Sequence, residues 1–374
     1  MKAFIRKETV FCISLLAAVI SAFFNPPSAA YLQAPDYRTL ALLFCLMGIS
    51  EGLKSAGIFT YAAGLLERKA STCFSLSLML TALVFFISMF FTNDVALLML
   101  VPFTMMIAAR EKFDENYLIR LIVIETVAAN LGSMATPVGN PQNIFICSHF
   151  SLSAPDFFSI ILPYCIISAV LIAVCSFLFL KSGKDLEKAK EERTQPERRQ
   201  SMIYLAFLAL ALLAVFNVLD WRILLAIMLV FLVLFDRKTL FSVDYILLLT
   251  FVCFFIFSAN IKSIDAVSAL LTEGMKTHPL ALSVLVSQVI SNVPAAILLS
   301  PFSSSAAPVL IGTDIGGLGT PVASLASLIS LKLYFRKEDS VKGRYLAFFL
   351  AVNLVLLILL CLSALFLSQE TQCA

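Results

Sequence analysis

Two short polar phrases break long apolar runs about 200 residues apart, and they constrain the fold more than any other feature of the chain. The first is Thr92-Asn93-Asp94-Val95-Ala96, closing on Pro102-Phe103; the second is Ser291-Asn292-Val293-Pro294-Ala295, closing on Pro301-Phe302. Each is followed by a second shared phrase, Gly132-Ser133-Met134-Ala135-Thr136-Pro137-Val138 and Gly316-Gly317-Leu318-Gly319-Thr320-Pro321-Val322. Two matched pairs in the same order imply two related halves. Helix-breaking polar residues at corresponding points of long apolar segments are what a transporter needs to build a binding site near the bilayer midplane.

Of 374 residues, 60% are hydrophobic and 14% charged, which excludes an ordinary soluble domain and implies an all-α polytopic membrane protein. No nucleic-acid partner is expected, and the lipid bilayer is the first partner. The nine cysteines, with no C-x-x-C pair, read as small buried hydrophobes. His149 and His278 are the only histidines and stand apart from any ligand cluster, so neither a metal site nor a cofactor is expected. There is no zinc-binding His pair and no Gly-x-Ser-x-Gly phrase, so an enzyme is not expected.

Lys and Arg set the orientation, because basic loops stay on the cytoplasmic side. Lys2, Arg6 and Lys7 place the N-terminus in the cytoplasm, ahead of an uncleaved first span near 9–25. A span near 39–56 returns, and 57–66 forms a short arm. Glu67-Arg68-Lys69 before the segment 72–109, and Arg110 and Lys112 after it, put both its ends inside. It is therefore predicted to be a re-entrant hairpin with its tip at Thr92-Asn93-Asp94, tolerated only where protein or a watery cavity covers the turn. Residues 117–149, with Gly132, Pro137, Gly139 and Pro141 in their middle, are predicted to be a broken transmembrane helix, and 155–180 a return span.

The first inverted repeat thus covers 1–180. The stretch 181–201 is a cytoplasmic linker, its residues 181–200 holding seven basic and five acidic residues, and 202–221 is a connecting helix. The second repeat, 222–374, has spans at 222–235 and 240–260, an arm at 262–276, a hairpin at 279–306 with Ser291-Asn292 at its tip, and a broken helix at 308–334. A last span, 345–367, leaves the C-terminus outside. The same order of elements enters from opposite faces in the two halves. The expected location is the cell (inner) membrane.

A hairpin tip and a helix break both expose backbone groups that a helix no longer satisfies. N–H groups at half-helix N-termini favour anions, and carbonyls at C-terminal ends favour Na⁺. The candidate site comprises Thr92, Asn93, Asp94, Ser291, Asn292 and Val293 at the tips, Thr136, Pro137, Asn140 and Asn143 in the first break, and Thr320, Pro321, Ser324 and Ser327 in the second. Any one Gly or Pro here reads equally as a kink in a packed bundle; the four phrases together read as a site. A carboxylate at a tip costs on the order of 3 kcal/mol unless paired, hydrated or protonated. Asp94 therefore reads as a Na⁺ ligand, as a carrier of a coupling H⁺, or as a cap for a helix beginning at Val95. Asp314 and Glu125 rank behind it, Asp314 as nearer the membrane interface and Glu125 as paired within the bundle.

These phrases resemble the ion transporter superfamily, the citrate-transporter-like group that includes divalent anion:sodium symporters, arsenite permeases and a class of sodium/proton antiporters. Thr92-Asn93 and Ser291-Asn292 stand where the symporters carry Ser-Asn-Thr tips, and Asp94 and Val293 depart from that pattern. Thr92-Asn93-Asp94 and Gly312-Thr313-Asp314-Ile315-Gly316 through Ser324-Leu325-Ala326 are more similar to the arsenite permease branch, and Gly139-Asn140-Pro141-Gln142-Asn143 to anion permeases. The resemblance implies a homodimer working as an elevator. The resulting expectation is a transporter of a small anion, an organic acid or inorganic oxyanion, coupled to Na⁺ or H⁺; the alternatives are a Na⁺/H⁺ antiporter and an arsenite efflux permease.

Overall fold

The computed structural model describes residues 8–186 and 195–373, and the described residues form helices joined by turns and loops, with a single isolated bridge between Thr72 and Asp185. Lys2, Arg6 and Lys7, and residues 187–194 of the linker, lie outside the described residues. Helices dominate because only structures that satisfy their own backbone hydrogen bonds tolerate lipid.

The first half contains α1 (Thr9–Ala22), α2 (Tyr37–Ser55), α3 (Ile58–Lys69), α4 (Cys73–Phe90), α5 (Asn93–Arg110), α6 (Glu115–Ser133), α7 (Pro141–His149) and α8 (Ala154–Phe179). Then come α9 (Arg198–Val215), α10 (Trp221–Phe235), α11 (Arg237–Ser242), α12 (Tyr245–Lys262), α13 (Asp265–Thr277), α14 (Pro279–Ile290), α15 (Asn292–Leu299), α16 (Ala306–Ile315), α17 (Leu325–Phe335) and α18 (Lys342–Cys373). Six of these helices are long and apolar enough to cross a membrane, and the bent pair α2–α3 counts as a seventh span if taken together. The protein is an all-α, multi-pass membrane protein.

Several helices outrun the apolar stretches that signal them. α9 begins at Arg198 and α18 continues to Cys373, because backbone hydrogen bonding continues where hydropathy has already turned polar. The short α11, opened by the Asp236 side chain accepting from Thr239 N, has no apolar signature and escapes a hydropathy reading.

The helices sort into two groups. α1 lies along α12, and α2 packs on α9, α10 and α11. In the other group α4, α5 and α6 pack on one another, as do α14, α15 and α16. Across the halves α5 packs on α17 and α15 on α7; α18 packs on α6 and α8 on α16. Each of these cross-half contacts thus has a counterpart with the halves exchanged. The C-terminal end of α5 is tied to α3 by an ion pair between Arg110 and Glu67. The hairpins are unequal: α4 and α5 have 18 residues each, whereas α14 has 12 and α15 has 8 before a 3₁₀ turn at Ser300–Phe302. Pro102 is accommodated inside α5, while Pro301 falls in the turn that ends α15.

Candidate functional site

Four helices begin where the two hairpin tips meet the two breaks: α5 at Asn93, α7 at Pro141, α15 at Asn292 and α17 at Leu325. The residues in front of them are Thr92, Asn140, Ser291 and Ser324, all side chains suited to capping. Only Asn140 caps its own helix, accepting from Asn143 N at 3.0 Å. Thr92, Ser291 and Ser324 make no side-chain cap. Ser291 Oγ turns to Ala323 O at 3.3 Å and Ser324 Oγ to Asn130 Oδ1 at 2.8 Å. The N-termini of α15 and α17 therefore keep their first N–H groups free of a side-chain cap, whereas at α5 the first N–H groups are taken by Gly139 O and Asn93 Oδ1.

Asn130 joins the halves. Its Oδ1 accepts from Asn93 Nδ2 at 3.1 Å as well as from Ser324, and its Nδ2 donates to Ser327 Oγ at 3.1 Å. Asn93 N also donates to Gly139 O at 3.2 Å, tying the first tip to the first break. The two tips are thus linked through Asn130 and residues 323–324, and Thr92, Asn93, Ser291 and Asn292 are all buried. Ser291 has φ 76° and ψ 154°, a region that only glycine enters without strain.

The first break is held by Thr136, whose hydroxyl donates to Met89 O, and by Asn143, whose backbone amide serves Asn140. Gly139 is required by close approach: a Cβ there would sit 2.1 Å from Ser133 O and 2.7 Å from Ser88 O. Pro137 is buried in the same turn. In the second break, Thr320 donates through N and Oγ1 to Gln288 Oε1 (2.9 Å) and Gln288 O (3.1 Å). Gln288 Nε2 donates to Gly316 O and Leu318 O at 2.8 and 2.9 Å. Pro321 opens the 3₁₀ turn before Ser324, and Val293 is buried beside Asn292 in the first turn of α15.

The three carboxylates differ. Asp94 lies in the first turn of α5, which starts at Asn93 and not at Val95; its own N–H donates to Asn93 Oδ1, and its Oδ1 is buried without a hydrogen-bond partner. The capping role allowed for it by sequence is not the one it plays. Asp314, placed by sequence nearer the membrane interface, is buried where the halves meet, accepting from Asn140 Nδ2 at 3.0 Å and Gln142 Nε2 at 3.1 Å. With its amide turned to give its nitrogen acceptors, Asn143 donates to Asp314 as well, at 3.0 Å. Glu125 is fully buried in α6 and accepts from Thr104 Oγ1 at 2.7 Å.

Asn130, Gln142 and Gln288 are structural members of this region that breaker-based sequence reasoning passes over. Each is an uncharged amide within five residues of a shared phrase, and that proximity is the signal that could have found them.

Residues 1–326 match the citrate transporter family. The chain is 31% identical over 298 residues to an uncharacterized transporter of Methanocaldococcus jannaschii, covering 80% of this chain and 81% of that one. It is 30% identical over 339 residues to the inner membrane protein YbiR of Escherichia coli, covering 88% of each. A shorter match, 34% over 152 residues, covers 40% of this chain and 30% of the silicon efflux transporter LSI3 of Oryza sativa.

Proposed function

The chain belongs to the citrate transporter family, and from that premise we propose that it is a secondary active transporter carrying a small anion across the cell membrane. The observation that carries this reading is the convergence of α5, α15 and α17 with their N-termini uncapped by Thr92, Ser291 and Ser324. The uncapped first N–H groups of α15 and α17, and the aligned peptide dipoles of all three helices, attract negative charge there without a Lys or Arg. An organic acid or an inorganic oxyanion suits such donors. Asn93, Asn140, Asn143, Asn292, Thr136, Thr320 and Ser327 surround the same region, and Asp94, with its unpartnered oxygen, would hold the coupling Na⁺ or H⁺.

The exchange symmetry of the cross-half contacts supports an inverted repeat, and the Arg110–Glu67 ion pair, which brings the end of α5 to the helix just ahead of α4, supports a hairpin with both ends on the cytoplasmic side. On this reading the N-terminus is cytoplasmic and the C-terminus outside. The two groups of helices fit an elevator in which α1, α2 and α9–α12 form a scaffold, paired with a second copy as a homodimer, while hairpins and broken helices move.

The test is counterflow and uptake in proteoliposomes across a panel of organic acids and oxyanions. Transport of at least one anion is expected, with loss in Asn93→Ala and Asn292→Ala; silence across the panel would sink the proposal. The unpartnered Asp94 oxygen favours a second reading, a Na⁺/H⁺ antiporter, which would show Na⁺-dependent proton flux without any anion and lose it in Asp94→Asn. The match to a silicon efflux transporter favours a third, export of an inorganic oxyacid such as arsenite, which the same panel covers.

A further inference from the structure

Among the described residues Glu125 is the carboxylic acid most completely removed from water, with no exposed surface, in a stretch of α6 whose neighbours Leu121, Ile122, Val123, Val127 and Ala128 are apolar and buried. Thr104 Oγ1 on α5 is the one hydrogen-bond donor to its Oε1, and Oε2 has no partner. Tyr345 of α18 lies within electrostatic reach. Asp94 and Arg110 of α5, Asp314 of α16 and Lys332 of α17, on helices packed against α6, make no hydrogen bond or ion pair with it. A bare buried carboxylate with one hydroxyl donor is costly. A bound Na⁺ would need several oxygen ligands around the carboxyl, and among the described residues Thr104 Oγ1 alone is in hydrogen-bond contact with it. A single hydrogen on Oε2 removes the charge.

We propose that Glu125 is a proton-binding site, separate from the hairpin tips, that takes up and releases one proton in each transport cycle. This rests on the transporter reading above. The proton comes from bulk water on one face, forms an O–H bond on Oε2, and returns to bulk water on the other face; no other bond changes. At the next residue of α6, Thr126 Oγ1 donates to Ser330 Oγ at 2.8 Å, and Ser330 Oγ lies 3.1 Å from Tyr345 OH. Ser330 Oγ also donates to Ser327 O at 3.2 Å, and Ser327 Oγ accepts from Asn130. These hydroxyls connect the surroundings of Glu125 to the residue that joins the tips, which is a physical route by which its protonation and the candidate anion site would sense each other.

Two measurements on the purified, reconstituted full chain test this. Infrared spectroscopy should show the carbonyl stretch of a protonated carboxylic acid that shifts in D₂O, disappears in Glu125→Gln and persists in Asp94→Asn. Thr104→Val, which removes only the donor to Oε1, should shift that band and leave it present, so the assignment stands even if Glu125→Gln folds poorly. A band that Glu125→Gln leaves untouched, or no such band at any pH, overturns the proposal. In proteoliposomes Glu125→Gln should keep anion counterflow and lose accumulation driven by a pH gradient; undiminished accumulation also overturns it. Wild-type silence across the anion panel would instead overturn the transporter reading and with it the coupling role, while the infrared band still reports whether Glu125 binds a proton.

Discussion

Asn140 Nδ2 lies 3.0 Å from Asp314 Oδ1, so the break in α6–α7 is fastened to the last turn of α16 by residues 174 positions apart. Gln142 donates to the same oxygen at 3.1 Å, and both donors are buried. Asp314→Asn would keep one acceptor oxygen for these donors but remove the second and the charge, and Asp314→Ala would leave them facing nothing. Hydrogen bonds to a charged group are worth roughly 1.5–3 kcal/mol, and an unsatisfied buried donor costs about 1–3 kcal/mol. Both variants should therefore melt at lower temperature than wild type in detergent, Asp314→Ala by at least as much. Equal melting temperatures would mean the contact does not hold the breaks together.

Much of this region is legible in sequence because the requirements for a polar break in lipid are local. Asn140, Asn143, Ser324 and Ser327 stand beside Gly and Pro in otherwise apolar runs, and the structure buries all four in the breaks or the first turns after them. The helices and their order follow from hydropathy for the same reason. What sequence hides is long-range pairing. Asn130 has no breaker at its side, and its importance appears only when α5 and α17 bring Asn93, Ser324 and Ser327 to it. Asp314 ranks behind Asp94 for a similar reason: its three amide partners come from the other half of the chain. The shortness of α14 and α15 was not legible either, since Pro102 and Pro301 occupy matching positions and only packing decides which one ends a helix.

Asn130→Ala should be a strongly damaging neutral substitution in the core. It removes the acceptor for Asn93 and Ser324 and the donor to Ser327 at once, with each orphaned buried group costing about 1–3 kcal/mol. Lower stability and loss of anion counterflow are expected together, measured by thermal melting and by proteoliposome flux. Asn130→Asp keeps the acceptor and should retain more of both than the alanine variant.

Gly139 and Gly64 should respond oppositely to alanine. At Gly139 the new Cβ would meet two backbone carbonyls closer than any real contact allows, and backbone cannot step aside. At Gly64, inside α3, it would meet nothing within 4 Å, and alanine is favoured over glycine in a helix by about 1 kcal/mol. Size-exclusion profiles and melting curves of the two variants should show Gly139→Ala poorly folded and Gly64→Ala at or above wild type.

Asp236, in the turn between α10 and α11, should give the acid side of stability a measurable component. Partial burial pushes its carboxyl up, yet hydrogen bonds from Tyr204 OH at 2.6 Å, from Thr239 and from Gln200 outweigh this and hold it below the ordinary carboxylate range. A group whose folded pKa is depressed stabilises fully above its unfolded value, about 3.9 for Asp, and loses that contribution as pH falls through the folded value. The melting advantage of wild type over Asp236→Asn should therefore be complete at neutral pH and shrink below roughly pH 4. An advantage that grows on acidification would contradict the assignment.

Ser291 offers the sharpest separation of stability from function. Its φ of 76° and ψ of 154° belong to a region that is essentially glycine's own, and holding another residue there costs of order 1–3 kcal/mol. Natural sequences tolerate such strain where the side chain earns its place, and here Ser291 Oγ reaches Ala323 O in the second break and stands ahead of the uncapped α15. Ser291→Gly removes the strain and the hydroxyl together, and leaves the backbone able to keep its turn. It should raise the melting temperature while lowering transport, whereas Ser291→Ala, which keeps the strain and loses the hydroxyl, should lower both. If Ser291→Gly transports at the wild-type rate, the hydroxyl has no part in the cycle and the strained tip is a structural accommodation alone.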